Sequence, residues 1–114
     1  MNEKILNRIF NELVNVSKNR GTITYNILAK RSGLDSYANW RFLIWEYLDE
    51  INRREVEEGR PMITAVAVRE DSGIPGDGFW DCAYYTCKVW DGNGSKEKFW
   101  RNELDRVWHY WGNK

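Results

Sequence analysis

The chain has 114 residues, the length of one domain, and 42% of them are apolar, which excludes intrinsic disorder. Its 17 basic and 17 acidic residues give a formal net charge of zero, which argues against a strongly basic coat for nucleic acid. No apolar run approaches the roughly 20 residues of a membrane span. The first apolar residues, Ile5 and Leu6, precede Asn7 and Arg8, so no signal peptide is expected. We predict a single cytoplasmic domain over residues 1–114.

Apolar spacing and capping residues predict two helices and a short strand near the start of the chain. The first helix covers residues 3–18, where apolar residues recur at helical spacing. β-Forming residues favour a very short strand over residues 22–24, and Thr24 is also a suitable N-cap for a helix over residues 25–32. Gly33 is suited to the end of that helix. The side chains that we expect it to bury are Ile27, Leu28 and Ala29.

A third helix and a longer strand are predicted next. The helix covers residues 37–58, with Asp35 or Ser36 as its cap, and Pro61 follows its end. Residues 62–68 alternate between two faces that are both mostly apolar. This pattern is typical of a strand that is covered on both sides.

The second half of the chain begins with the glycine-rich segment SGIPGDGFW, residues 72–80. All three of its glycines are expected to supply positive φ angles in consecutive turns. Residues 79–90 fit either a helix or a strand, and we favour the helix. Ser95 is expected to cap a last helix over residues 96–111, which carries an aromatic face.

This order of elements predicts the fold. A helix, a short strand, two helices, a strand and a turn follow one another, as in a winged helix-turn-helix domain. Such a domain has three core helices and a small sheet whose hairpin forms the wing. We therefore predict an α+β fold with a winged-helix-like core and additional C-terminal helices.

Three segments carry a resemblance to a known family. They are TYNILA (24–29), PMITAVAVREDSGIPGDGFW (61–80) and FWRNELDRVWHYW (99–111). The chain resembles a family of small, largely uncharacterised bacterial and phage proteins with the patterns "TY..LA", "P.L.ALVV....G.PG.GF" and "FW..EL..VY.YW". Ala67 and Trp108 depart mildly from these patterns. The resemblance covers most of the chain and implies no particular activity.

No set of residues predicts catalysis. The start of the second helix also resembles the "TYG.LA" segment of DNA-repair alkyltransferases, but their "PCHRV" nucleophile block has no counterpart, so no catalytic residue carries over. His109 would need a nucleophile or a carboxylate beside it. Asp105 lies four residues earlier, a spacing that is usual for helix-surface contacts. We predict that the protein is not an enzyme and has no cofactor.

The cysteines and the acidic turn residues do not predict a metal site. Cys82 and Cys87 lie five residues apart, too far around a helix axis for a relaxed disulfide, so free thiols in a reducing compartment are expected. Oxygen ligands for a hard cation occur in and after the turn, but not at the spacing of a calcium loop. These acids are Glu70, Asp71, Asp77 and Asp81.

Basic residues around the second helix favour DNA binding. No acid occurs between residues 18 and 31. In a winged helix the second helix crosses the DNA backbone and the start of the third enters the major groove, where Asn and Arg read adenine and guanine. We predict a non-catalytic regulator that binds double-stranded DNA. The contacting residues are expected to be Lys18, Arg20, Lys30 and Arg31 on phosphates and Tyr37, Asn39 and Arg41 on bases.

Acidic residues favour a competing function. Glu46, Asp49 and Glu50 on the third helix would repel phosphates, and so would Glu70 and Asp71 at the wing tip. Seven tryptophans are more than one small core can bury, so some are expected to be exposed. Exposed aromatics dominate many protein interfaces. The alternative is a protein-interaction module that forms homodimers or binds another protein. The resemblance to bacterial and phage proteins implies that such a partner is a host protein, for which this chain would be a phage or mobile-element accessory or inhibitor.

Overall fold

The computed structural model describes all 114 residues and contains five α-helices and one two-stranded sheet. The α+β class is confirmed, with helix predominant. No helix is at once long enough and apolar enough to cross a membrane. The elements in chain order are α1 (Glu3–Lys18), β1 (Ile23–Thr24), α2 (Tyr25–Ser32), α3 (Trp40–Glu57), β2 (Ala67–Val68), α4 (Asp77–Asp81) and α5 (Lys96–Gly112).

The caps of α2 and α5 are confirmed. The Thr24 side chain accepts a hydrogen bond from the Ile27 N–H, and Ser95 accepts one from the Lys98 N–H. Gly33 ends α2 with a φ of 83°, which lies in the left-handed region. Burial of Ile27 was predicted and is wrong, since its side chain is 45% exposed. A two-turn helix that buries Leu28 and Ala29 turns this neighbouring side chain outward.

Helix α3 begins at Trp40, three residues later than predicted. A 3₁₀ turn over Leu34–Ser36 follows α2 instead. The Ser36 hydroxyl donates back to the Gly33 carbonyl at 2.8 Å, so it does not cap α3. Residues 37–39 form a turn before the helix. The α3 side chains that face the core are Ile44, Tyr47, Leu48 and Ile51.

The strand predicted over residues 62–68 is mostly wrong. Ile63–Val66 is a 3₁₀ turn, and only Ala67–Val68 pairs, in parallel register with Ile23 and Thr24. The prediction that this segment is covered on both sides is nevertheless confirmed, because all residues from 61 to 68 are buried.

Side chains from distant elements bind the backbone that a sheet would have paired. Glu103 accepts the Met62 N–H at 2.9 Å, and Asn52 accepts the Thr64 N–H at 3.2 Å. In addition, the Trp100 indole N–H donates to the Ala65 carbonyl at 2.8 Å. Since buried backbone groups need partners, these side chains replace a strand neighbour.

The helix favoured over residues 79–90 is confirmed as far as Thr86. Helix α4 continues there as a π-turn, Cys82–Thr86. Residues 87–90 are not helical, because the N–H groups of Val89 and Trp90 both turn back to the Ala83 carbonyl.

Tryptophans connect the elements of the core. Trp80 and Trp100 are buried and the other five are half-buried. The core therefore does not bury all seven tryptophans fully, as expected, but none of them is fully exposed. The indole N–H of Trp80 donates to the Lys96 carbonyl, and that of Trp108 donates to the Gly21 carbonyl. Helix α5 is thereby fixed to α4 and to the turn after α1.

Candidate functional site

A groove of about 750 Å³ lies where α2 and α3 begin and the loop 69–76 passes over them. The loop is closed by two backbone hydrogen bonds of 2.9 Å, from Arg69 N–H to the Ile74 carbonyl and from Gly73 N–H to the Arg69 carbonyl. The groove is lined by Thr24, Tyr25, Asn26, Trp40, Arg41, Ile44, Trp45, Arg69, Glu70, Asp71 and Gly76.

Two glycines allow the Trp45 indole to lie against the loop and α4. A Cβ atom on Gly78 would lie 2.5 Å from the ring, and one on Gly76 would lie 3.0 Å from it. Positive φ angles were predicted for Gly73, Gly76 and Gly78, but among these three glycines only Gly73 has one. The need for glycine at 76 and 78 therefore arises from the close approach of an aromatic ring rather than from backbone geometry.

Tyr25 forms another wall of the groove. Its ring lies 5.2 Å from that of Trp45, centre to centre, and its hydroxyl accepts the Gly76 N–H at 2.9 Å. Burial raises the pKa of Tyr25 to about 12, although the hydrogen bond from Gly76 and the charge of Arg69 both lower it. The phenol is therefore neutral at physiological pH, fixes the loop, and can donate a hydrogen bond into the groove.

Charges of both signs lie on the rim. Arg69 pairs with Asp71 at 2.8 Å, and both side chains are more than half exposed. Arg41 forms no ion pair, and its guanidinium lies 4.5 Å from the centre of the Trp40 ring. Glu70 is also exposed and without an ion-pair partner. The rim thus offers one free guanidinium and one free carboxylate.

All seven residues predicted to contact DNA are exposed. Only Arg41 lines the groove; Tyr37 and Asn39 lie in the turn just before α3, and not on the helix itself. Lys30 and Arg31 occupy the last turn of α2.

The remaining predicted cations lie outside the groove. Lys18 ends α1, and Arg20 follows it with a φ of 52°, a left-handed value that is uncommon for a residue other than glycine. The Arg20 guanidinium lies close to Gly112 at the end of α5. Arg31 forms an ion pair with Glu12 at 3.5 Å on the surface. The seven residues therefore do not converge on one pocket.

Sequence reasoning missed Tyr25, Trp45 and Arg69 as groove residues. The sequence analysis assigned no role to these three side chains, which come from three different parts of the chain. The closely spaced glycines were the only available signal, because a glycine also occurs where a bulky neighbour approaches the backbone closely, as Trp45 does here.

The most exposed large side chain near the groove is Phe42. It is 81% exposed in the first turn of α3, and it is accompanied by Tyr37 at 41%. A separate aromatic pair, Tyr84 and Tyr85, is exposed on the π-turn. Exposed aromatics are thus present, but they are phenylalanine and tyrosine rather than tryptophan.

The acidic residues, the histidine and the cysteines do not gather into a metal-binding cluster. No group of three or more His, Cys, Asp or Glu side chains is placed to hold a metal ion. His109 and Asp105 are both exposed on α5 and form no ion pair. Comparison of the chain with protein-family models, curated proteins and solved structures finds no match.

Proposed function

We propose that the protein is a non-catalytic, double-stranded-DNA-binding protein that contacts DNA with the start of α3 and the end of α2. The observation that carries this proposal is the free guanidinium of Arg41, held on the Trp40 ring at the mouth of the groove. A guanidinium without a carboxylate partner is available for a guanine edge or a phosphate. Tyr37 and Asn39 are exposed in the preceding turn and suit base contacts.

The proposed topology is a divergent winged helix. Helices α1, α2 and α3 supply the three-helix core, and the loop 69–76 occupies the place of the wing. The wing of a winged helix is a hairpin, whose strands pair antiparallel. The one strand pairing here is parallel, so the sheet supports the α+β class but not the winged-helix topology itself. In this proposal the groove separates the DNA-reading helix from the wing loop.

The surface charges support binding of moderate strength. Lys30 and Arg31 end α2, and the Arg31–Glu12 pair is exposed enough to exchange for a phosphate at a cost of about 1 kcal/mol or less. The carboxylates of Glu70 and Asp71 on the rim would repel a phosphate that approached the groove. Because the proposed phosphate contacts are made by Lys and Arg, we expect the affinity to fall steeply as the salt concentration rises.

The double variant Lys30→Glu, Arg31→Glu should weaken duplex binding about tenfold or more and lower the salt slope by about two, since roughly one counterion is released per phosphate contact. Arg41→Glu should also lose affinity and should reduce discrimination between sequences. Fluorescence anisotropy with labelled duplexes at several salt concentrations measures both quantities.

Lys98→Glu provides the matched control, because Lys98 is exposed on α5, outside the groove, and the charge change per residue is the same. Glu70→Gln should raise the affinity about twofold by removing a repelling carboxylate. Equal effects of the Lys98 and Arg41 variants, or unchanged binding in the double variant, would show that this surface does not bind DNA.

Phe42 favours a second candidate function, protein interaction. A phenylalanine that is 81% exposed in the first turn of a helix is energetically costly in water and is typical of an interface anchor. Tyr37, in the turn before α3, and Ile27, on α2, are further large apolar side chains that are exposed.

If this surface mediates homodimerisation, Phe42→Ala should weaken self-association about tenfold or more in sedimentation velocity, because interface aromatics often contribute about 2 kcal/mol. Tyr85→Ala is the control, since Tyr85 is 71% exposed on a different element. A monomeric wild type over the whole concentration range, or equal effects of the two variants, would exclude self-association through Phe42.

A further inference from the structure

The two cysteine sulfurs lie in contact. Cys82 Sγ and Cys87 Sγ are 3.9 Å apart, and the Cys87 N–H donates to the Cys82 carbonyl at 2.8 Å. In an α-helix, residues five apart point about 140° away from each other around the axis. The wider π-turn reduces this offset, and the two sulfurs come into contact. The prediction that they lie too far around the axis is therefore wrong, although both thiols are free.

This geometry is close to that of a disulfide. A disulfide requires a Cα separation of roughly 4.4–6.8 Å, and the backbone hydrogen bond from Cys87 to Cys82 holds these two residues on one turn. Closure requires the sulfurs to approach from 3.9 Å to about 2.0 Å.

The two thiols differ in their surroundings. Cys82 is 2% exposed and lies beside the Asn52 amide, while Cys87 is half-buried at the end of the π-turn. The hydrogen bond from Cys82 lowers the pKa of Cys87, and the same contact together with burial raises the pKa of Cys82. Cys87 is thus the more accessible thiol and the one that ionises first.

We infer that Cys82 and Cys87 form a modification site for hydroperoxides, at which Cys87 is oxidised and Cys82 resolves the product to an intramolecular disulfide. The Cys87 thiolate attacks one peroxide oxygen, the O–O bond breaks, and hydroxide leaves while the sulfur becomes a sulfenic acid. Cys82 then attacks the Cys87 sulfur, the S–O bond breaks, and the oxygen leaves as water with the Cys82 proton. Two thiols and one hydrogen peroxide thus give one disulfide and two waters.

The test is oxidation of the full chain with hydrogen peroxide, followed by catalase, unfolding, alkylation with N-ethylmaleimide and intact mass analysis. We expect two maleimide adducts before oxidation, none after it, a single-chain species on a non-reducing gel, and full recovery with dithiothreitol. Oxidation of a methionine adds one oxygen, so its mass increase is distinguished from the loss of two hydrogens that accompanies disulfide formation. Two alkylatable thiols after oxidation, or a covalent dimer, would overturn the inference.

Serine variants test the order of events. Cys82→Ser should accumulate a sulfenic acid at Cys87 that dimedone traps, while Cys87→Ser should react with peroxide about tenfold or more slowly. Equal rates in the two variants would overturn the assignment of Cys87 as the attacking thiol. Peptide mapping of the oxidised wild type identifies the Cys82–Cys87 bond even if either variant fails to fold.

Discussion

Gly78→Ala should destabilise the protein by about 1–3 kcal/mol, as overpacking of a filled site does. The added methyl group would lie 2.5 Å from the Trp45 ring, so either the indole or α4 must move. In an ordinary exposed helix the same substitution stabilises by about 1 kcal/mol, because alanine has the higher helix propensity. A decrease in the free energy of unfolding therefore indicates that the added methyl group meets Trp45, whereas an increase indicates that it does not. Urea unfolding followed by far-ultraviolet circular dichroism measures this free energy.

Two further variants make this result specific. Gly21→Ala is the matched control, since its methyl group would meet only ordinary contacts at 3.7 Å and Gly21 has no positive φ. Trp45→Leu in the Gly78→Ala background should recover part of the lost stability, which a double-mutant cycle quantifies. Additive effects of the two substitutions would show that the ring and the glycine do not interact. If the groove contributes to DNA binding, Gly78→Ala should also lower the affinity for duplex DNA.

Asn52→Ala should cost about 3 kcal/mol of unfolding free energy. Asn52 is 1% exposed, donates to the Thr64 hydroxyl at 2.7 Å and accepts the Thr64 N–H at 3.2 Å. Alanine would leave the buried Thr64 N–H without a partner and would open a small cavity. Chemical denaturation measures the loss, with the slope m as a check that the unfolded state is unchanged.

Asn102→Ala is the control for the loss of an amide, because Asn102 is exposed on α5 and should change stability by less than about 0.5 kcal/mol. Thr64→Val should cost less than Asn52→Ala, because it retains the backbone N–H bond to Asn52. A cost of Asn52→Ala no larger than that of Asn102→Ala would contradict the role of Asn52 as the partner of the 3₁₀ turn.

Local signals in the sequence predicted the helices well. Thr24 and Ser95 act as caps and Gly33 ends α2, since each effect depends on residues within one turn. The strand over residues 62–68 failed for the opposite reason. Its backbone is bound by Asn52 and Glu103, which lie 12 and 41 residues from the groups that they bind and carry no local signal.

The candidate site was predictable only in part. Arg41 was identified from its type and its position near a helix start. The groove itself was not, because it depends on how closely Trp45 approaches Gly76 and Gly78. The contact between the cysteines was missed because the angle between two side chains was inferred from α-helical geometry. The five-residue spacing of Cys82 and Cys87 does not by itself indicate a π-turn.

The hydrogen bond from Trp108 to Gly21 has a kinetic consequence. It joins positions 87 residues apart, and the bond from the Met62 N–H to the Glu103 carboxylate spans 41. Closing such long loops costs chain entropy before the contacts form. Helices α1 to α3 can form early from local contacts, but the core stays open until α5 docks and supplies Trp100, Leu104 and Val107. Folding should therefore be slower than in helical bundles of similar size, with α5 docking late.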